Sequence, residues 1–472
     1  NGGEGDDDVN GGANRDFIKG GAGADVIEGG AQSDVLWGDS AFEWGYGYGD
    51  YGIDWNSQYG NGYGSNAVPV HNGEEGRQVD CPEDYFSDVG GEAGGDRIRG
   101  GTGNDVIFGE SGDDHLYGEN GKDLIFGGLD KDRIHGGNGD DTLYGNEGND
   151  CIFGNRGDDL MFGNEGSDRM RGGSGDDTMS GGIGRDDMYG DSGDDDMMGD
   201  NGNDTMSGGD GNDCMEGGGG ADSMFGDADS DYMDGGVGRD TMDGGEGDDV
   251  MEGGLVLVLL FGGRGDDCMY GLEGADVMNG DRGDDTMYGG ELNDTMDGGI
   301  GNDVLVGGEG EDLITTGTGK DVVVIDLTWD GAEFASADGD DVVTDFDMDQ
   351  DNDVLLFRIT NIDGDGTSGI GTSAGAAFAA LNATAVVVDD NTDTTISING
   401  ASITLLGVSD DQSSFTSLGQ DANPFGGVGI NAYSTGDVGS YEAIAVRTSD
   451  TGFNDEHSWK EEYRSEDNGI YI

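Results

Sequence analysis

Aspartate recurs at every ninth residue along most of this chain. Asp7, Asp16, Asp25 and Asp34 open the series. Asp96, Asp105, Asp114, Asp123, Asp132, Asp141, Asp150, Asp159, Asp168, Asp177, Asp186, Asp195, Asp204, Asp213, Asp222, Asp231, Asp240 and Asp249 carry it on. After one missed beat come Asp267, Asp276, Asp285, Asp294, Asp303, Asp312 and Asp321. Each is the sixth residue of a nine-residue unit that favours glycine at positions one, two and four. Residues 20–28 read GGAGADVIE and residues 100–108 read GGTGNDVIF. A carboxylate is a hard anionic oxygen donor, and glycine permits positive φ and leaves neighbouring carbonyls uncrowded, which suits a loop wrapped around an ion. Calcium takes six to eight oxygens in forgiving geometry, so carboxylates and carbonyls of adjacent loops can share one ion. Catalysis has less to work with. There is no HExxH string, and His71, His115, His135 and His457 are the only imidazoles, so no active site is expected within these residues.

The elements that must position these aspartates follow from the same period. From Gly91 to Thr315 there are 25 consecutive nonapeptides, four more fill residues 2–37, and a degenerate one, TGTGKDVVV, fills 316–324. The sixth residue is Asp in twenty-nine of the thirty, and the eighth is always Val, Ile, Leu or Met. Positions seven to nine form a short strand in which the eighth side chain points one way and its neighbours the other. The eighth column is therefore the core. From Met161 to Met296 it is methionine in fifteen of sixteen repeats, which reads as adaptable packing of a narrow core in preference to a redox or metal feature.

This pattern closely resembles the RTX (repeats-in-toxin) family over about 270 residues. The resemblance implies an all-β fold, a right-handed parallel β-roll with two nonapeptides per turn, followed by a mainly β carboxyl-terminal domain. It also implies calcium between successive turns, roughly one ion per interior repeat, with each sixth-position aspartate shared between neighbouring turns. Carbonyl ligands would come from positions two and four, among them Gly101, Gly103, Gly112, Gly121, Gly137, Gly139, Gly148 and Gly157.

Composition agrees. Acidic residues outnumber basic ones by 103 to 20, a formal charge of -83, which excludes nucleic acid and anionic membranes as general partners and makes divalent cations the natural counter-ions. Three prolines among 472 residues do not make a flexible proline-glycine linker. The longest apolar run, Leu255 to Phe261, is too short to span a membrane as a helix. Calcium binding and folding should then be one process, with an expanded chain where calcium is scarce and a folded one outside the cell.

Departures from the repeat mark further candidates. With alternate repeats on opposite sheets, one outer face carries Val106, Phe108, Leu124, Phe126, Thr142, Tyr144, Leu160 and Phe162, an apolar strip expected to contact a partner or another segment. The other carries Arg97, Arg99, His115, Tyr117, Arg133, His135, Arg169 and Arg171, which either balance nearby carboxylates or offer an anionic glycan a site, the former being favoured. Residues 253–261, GGLVLVLLF, lack the aspartate, so one calcium half-site should be missing, and Leu255 to Leu259 form a candidate docking knob. Cys151, Cys214 and Cys268 all take the outward seventh position and are expected as free thiols or intermolecular partners, with only Cys81 placed to pair with one of them.

Five segments result: first repeats (1–37), an aromatic and glycine-rich insertion (38–90) suited to internal packing or assembly more than to glycan binding, the main roll (91–324), a β-rich secretion-associated cap (325–410), and a tail (411–472). Within the cap, Asp341 to Phe346 and Thr404 to Val408 match the D-x-[IV]-x-D-F and T-L-x-G-V strands of type I secreted RTX proteins, and the final NGIYI is similar to their export signals. The loop from Asn361 is only weakly EF-hand-like, since Thr372 stands where a bidentate Glu belongs. The chain starts inside a repeat without an amino-terminal signal and is read as part of something longer. The expected role is an extracellular calcium-rigidified structural, surface-layer or adhesion scaffold; the alternative is the calcium-binding end of a larger secreted enzyme or toxin.

Overall fold

A computed structural model describes residues 2–39 and 95–329, and beyond them 334–335, 339–346, 353–361, 386–389, 393–398, 401–406, 428–434 and 441–448. The chain divides into two bodies, Asn1–Gly254 and Leu255–Ile472. The described residues contain strands and no helix, and none therefore forms a helix long and apolar enough to cross a membrane.

Each repeat contributes one strand, built from its positions seven to nine and the first three of the next repeat. Arg97–Thr102 and Val106–Ser111 are successive examples, and both alternate between half-exposed and buried residues. The eighth-position residue and the following first-position glycine point inward. Positions four to six then turn the chain over to the opposite sheet. Strand partners consequently stand eighteen residues apart and run parallel: Ile107 pairs with Ile125, and Ile98 with Leu116. In the first body one sheet stacks Phe17–Ala22, Val35–Asp39, Val106–Ser111, Leu124–Leu129, Thr142–Glu147 and Leu160–Glu165. The facing sheet stacks Val26–Ala31, Arg97–Thr102, His115–Asn120, Arg133–Asn138, Cys151–Arg156 and Arg169–Ser174. This is the parallel β-roll that the period predicts.

The core is the eighth column, stacked like on like. Met161, Met179, Met197, Met215 and Met233 lie in one sheet and Met170, Met188, Met206 and Met224 in the other, all at 0% exposure. Burying each such side chain contributes roughly 1.5–3 kcal/mol.

The insertion leaves this stacking untouched. Val26 pairs with Arg97 and Val35 with Val106, so partners across it are separated by 71 positions in place of 18, a difference equal to the 53 residues 38–90. Only Gly38 and Asp39 of the insertion are described, and the aromatic residues placed in it by the sequence all lie outside the described residues.

In the second body the parallel stacking does not stop at residue 324. Asp340–Val343 pairs with Leu313–Thr315, and Val354–Asn361 with Val322–Trp329. Val343 and Leu355 thus continue the core column with no nonapeptide around them, at 0% and 2% exposure. Antiparallel strands follow: Val386–Asp389 with Asp393–Ile398, the latter with Ala401–Leu406, and Tyr441–Thr448 with both Val354–Asn361 and Val428–Ser434. The EF-hand-like loop after Asn361 and the final NGIYI fall outside the described residues.

Candidate metal centre

The sixth-position aspartates are all placed in the turns, side chains inward, half-buried at Asp7 and Asp16 and buried from Asp25 to Asp321. Along the ladder one oxygen is satisfied by the aspartate amide one turn before it, beginning with Asp25, which accepts from Asp7, and Asp34, which accepts from Asp16. The amide of Asp105 donates to Oδ1 of Asp123 (2.8 Å), that of Asp123 to Asp141 (2.7 Å) and that of Asp141 to Asp159 (2.7 Å), one turn on each time. The same ladder runs along the opposite edge through Asp132, Asp150, Asp168 and Asp186. In the second body it runs from Asp276 to Asp294 and Asp312.

The other oxygen, Oδ2, is buried and accepts no hydrogen bond. This holds at Asp7, Asp16, Asp34, Asp105 and Asp123, at each of these aspartates from Asp132 to Asp240, and at Asp276, Asp285, Asp294, Asp303, Asp312 and Asp321. A buried carboxylate oxygen left without a partner is costly, and repeating it along two edges demands a compensating cation. Burial accordingly pushes the carboxyls far above the ordinary carboxylate value: Asp132 and Asp231 to about 9, Asp195, Asp285 and Asp294 to about 8, with the amide bonded to Oδ1 opposing the shift. A bound divalent ion inverts that preference by stabilising the ionised form.

First-position glycine is part of the same device. A β-carbon on Gly109 would overlap Oδ2 of Asp114 and meet the carbonyl of Gly127 in the next turn; Gly145 is placed likewise between Asp150 and Gly163. Its backbone φ is not positive, contrary to the sequence-based expectation. Here the small residue is required by close approach, not by conformation. Positive φ belongs to positions two and four, where Gly101 (106°), Gly103 (139°), Gly112 (115°), Gly121 (155°), Gly137 (123°), Gly139 (126°) and Gly157 (123°) have it and Gly148 does not. Where glycine is replaced at position two, Asn and Asp dominate, as at Asn146, Asn155, Asn164 and Asp191, with φ of 74–78°. Position-four loops are in contact from turn to turn: the carbonyl of Gly103 lies against the α-carbon of Gly121. Among the described residues no three acidic, histidine or cysteine side chains converge, so a cation held here draws most of its oxygens from such carbonyls.

Three features escaped the sequence reading. Fifth-position side chains form a second ladder of opposite sense: Oδ1 of Asp158 accepts from the amide of Asp176, Asp176 from Asp194, and Asp194 from Asn212. The Asn and Asp enrichment at that position was its signal. The aspartate ladder also outlives the repeats, since the amides of Asp312 and Asp321 donate to Asp341 (3.1 Å) and Asp353 (3.3 Å). Asp345 there accepts from the Thr316 amide and from Gly317, so both its oxygens are satisfied. Third, the aromatic strip is a face-to-face stack that begins upstream of the insertion: Trp37, Phe108, Phe126, Tyr144 and Phe162 follow one another at 4.9–5.8 Å between ring centres.

The basic face is real but mostly balanced. Arg99 pairs with Glu119, Arg169 with Asp187 and Arg171 with Asp191, while Arg97, Arg99 and Arg133 lie over the stacked rings of Tyr117 and Phe153. In the degenerate repeat Val258 replaces the aspartate at 0% exposure, and its amide still donates to Asp276 (2.8 Å), so the turn survives without the ligand. Leu255 and Val256 are exposed there. Cys214 and Cys268 are free thiols and Cys151 is disulfide-bonded, within the expectation of free or intermolecularly paired thiols that left one of the three open to a bond with Cys81.

Two edges of buried, unsatisfied carboxylate oxygens at a nine-residue period agree with the match to the family described as RTX calcium-binding nonapeptide repeat (4 copies), found at residues 1–40, 90–125, 126–161, 162–197, 189–224, 198–233, 225–255, 259–287 and 288–323. The chain belongs to the RTX calcium-binding repeat family. Calcium is thus the ion the RTX roll is built to hold, through the aspartate column and turn carbonyls. No curated protein matches the chain. Among solved structures it is similar to the extracellular lipase LipA from Serratia marcescens, at 15% identity over 66% of this chain and 44% of that one, with a TM-score of 0.13. The RTX chain thus spans less than half of that lipase, and so low a score carries no argument about activity. One G-x-S-x-G string, Gly371 to Gly375, is present in the sequence and lies outside the described residues.

Proposed function

We propose that this chain is a secreted scaffold, a calcium-rigidified roll that folds after export and acts at or outside the cell surface by structure and not by catalysis. The observation that carries the reading is the double column of buried Oδ2 atoms, which makes the folded state conditional on a divalent cation. Millimolar extracellular calcium suits sites of this class, whereas cytoplasmic calcium is too scarce to occupy them. The disulfide at Cys151 is consistent with an oxidising compartment. The long aromatic stack offers a surface through which such rolls could associate with a partner or with each other.

The test is circular dichroism with light scattering while calcium is raised from zero to about 10 mM. β-Structure accompanied by ordered assemblies is the expected result. Folding to a compact monomer would instead make the chain the calcium-binding portion of a larger secreted enzyme, and indifference to calcium would sink both.

A further inference from the structure

We propose that the arginine row of the basic sheet docks onto an acidic stripe on the aromatic sheet of a second copy of this chain, joining rolls head to tail.

In a chain of charge -83, Arg97 and Arg133 meet no carboxylate among the described residues, whereas Arg99, Arg169 and Arg171 are ion-paired. The two stand in register, two strands apart, with His115 between them. Both are held by rings. Arg97 lies over Tyr117, and Arg133 lies over Phe153 while its Nε donates to Nε2 of His135 (3.1 Å). A guanidinium already positioned in this way loses little freedom when it pairs with a carboxylate.

The same body presents suitable carboxylates. On the aromatic sheet beyond Phe162, the outward residues Glu216, Asp234 and Glu252 stand in register on consecutive strands, and Asp196 pairs with Cys214 in the neighbouring row. From Thr178 to Glu252 the outward seventh and ninth positions of this sheet hold no Lys or Arg. Like charges directly opposite on adjacent strands repel, a cost that an incoming cation removes. Burial pushes the Asp234 carboxyl above its ordinary value, opposed by the Gly236 amide and reinforced by Glu252.

Spacing selects the occupant. Glu216 and Glu252 are two strands apart, as are Arg97 and Arg133, about 9.5 Å in each case at the usual strand spacing. Both guanidiniums can therefore face a glutamate at once, whereas an anionic polymer of another period engages one at a time and must approach a chain of charge -83. The stripes lie on facing sheets of Asn1–Gly254, so each copy can use both, and such unlike contacts in series need not close. This polarity rests on the scaffold role proposed above.

Sedimentation velocity of the calcium-loaded chain tests it with two variants. One carries Arg97→Gln and Arg133→Gln; the other carries Glu216→Gln, Asp234→Asn and Glu252→Gln. Each alone should remain monomeric at concentrations about tenfold above those at which the parent assembles, with calcium-dependent circular dichroism unchanged. Mixed, they should form a one-to-one pair and nothing larger, because each retains one surface. Variants that assemble like the parent, or that stay monomeric but do not pair on mixing, would overturn the docking and leave the scaffold reading standing. A parent that calcium folds to a monomer would overturn both. Binding of a sulfated polysaccharide by that monomer, lost in the arginine variant, would assign the basic row to a glycan instead.

Discussion

Each aspartate of the column has two oxygens with opposite circumstances, and substitution can separate them. Asp195→Asn keeps the acceptor used by the Asp177 amide but replaces the unsatisfied charged oxygen with an amide nitrogen. Without calcium this variant should be more stable than the parent, because a desolvated charge has gone. With calcium it should be less stable, and calorimetric titration should register about one or two ions fewer. Proton dependence splits the same way. The column carboxyls have folded values raised from 3.8 to about 6–9, so the folded state binds the extra protons. Their contribution to the metal-free fold is therefore complete below the unfolded value near 4 and is lost as pH rises through 6–9. Circular dichroism in chelator should show β-structure gained on acidification, whereas in calcium the same acidification should weaken ion binding, because ligation needs the ionised form. A metal-free fold indifferent to pH between 4 and 9 would contradict the burial argument.

The strand is the element that this chemistry rides on, and its tolerances follow from which way each position faces. Met188 is stacked between Met170 and Met206. Truncation to Ala should lower stability by about 2–5 kcal/mol, and Met188→Leu by less than about 1.5, both read as shifts of the denaturation midpoint in saturating calcium. Gly190→Ala should be worse than its size suggests, since the added carbon would displace Oδ2 of Asp195 and press on the Gly208 carbonyl. Asn164→Gly, at a position already in the left-handed region, should change stability by no more than about 1 kcal/mol. The eighth column and the sixth-position aspartates were legible in the sequence because each is a one-residue rule, kept in all thirty repeats by the former and in twenty-nine by the latter. The first-position glycine was legible as a glycine but not in its reason, because the constraint comes from a carbonyl eighteen residues away. Asp353 was invisible since it joins its column through a connection of irregular length, from Asp321, which no fixed period can index. The bond at Cys151 was half legible: strand spacing rules out bonds among the three roll cysteines and leaves one of them open to an outside partner, but does not say which of the three.

Across the whole molecule, a formal charge of -83 makes the cation a condition of compactness. In chelator at neutral pH the chain should scatter X-rays as an expanded polymer with a radius of gyration near the roughly 80 Å of an unfolded chain this long, and calcium should contract it cooperatively. Magnesium, smaller and reluctant to shed its water, should be a poor substitute at equal concentration. The register across the insertion has one more consequence. Because partners stand 71 residues apart there and still meet in step, the stack counts only residues that lie within it. Anything spliced between Trp37 and Gly91 is silent, whereas anything added inside the stack obeys a strict arithmetic. Duplicating eighteen residues lengthens the roll and leaves every later side chain on its own side. Duplicating nine sends the whole downstream portion to the opposite side, exchanging aromatic for basic surface with no change in any single residue. Unequal recombination among such repeats thus has two outcomes, growth or inversion, and the parity of the repeat count decides between them.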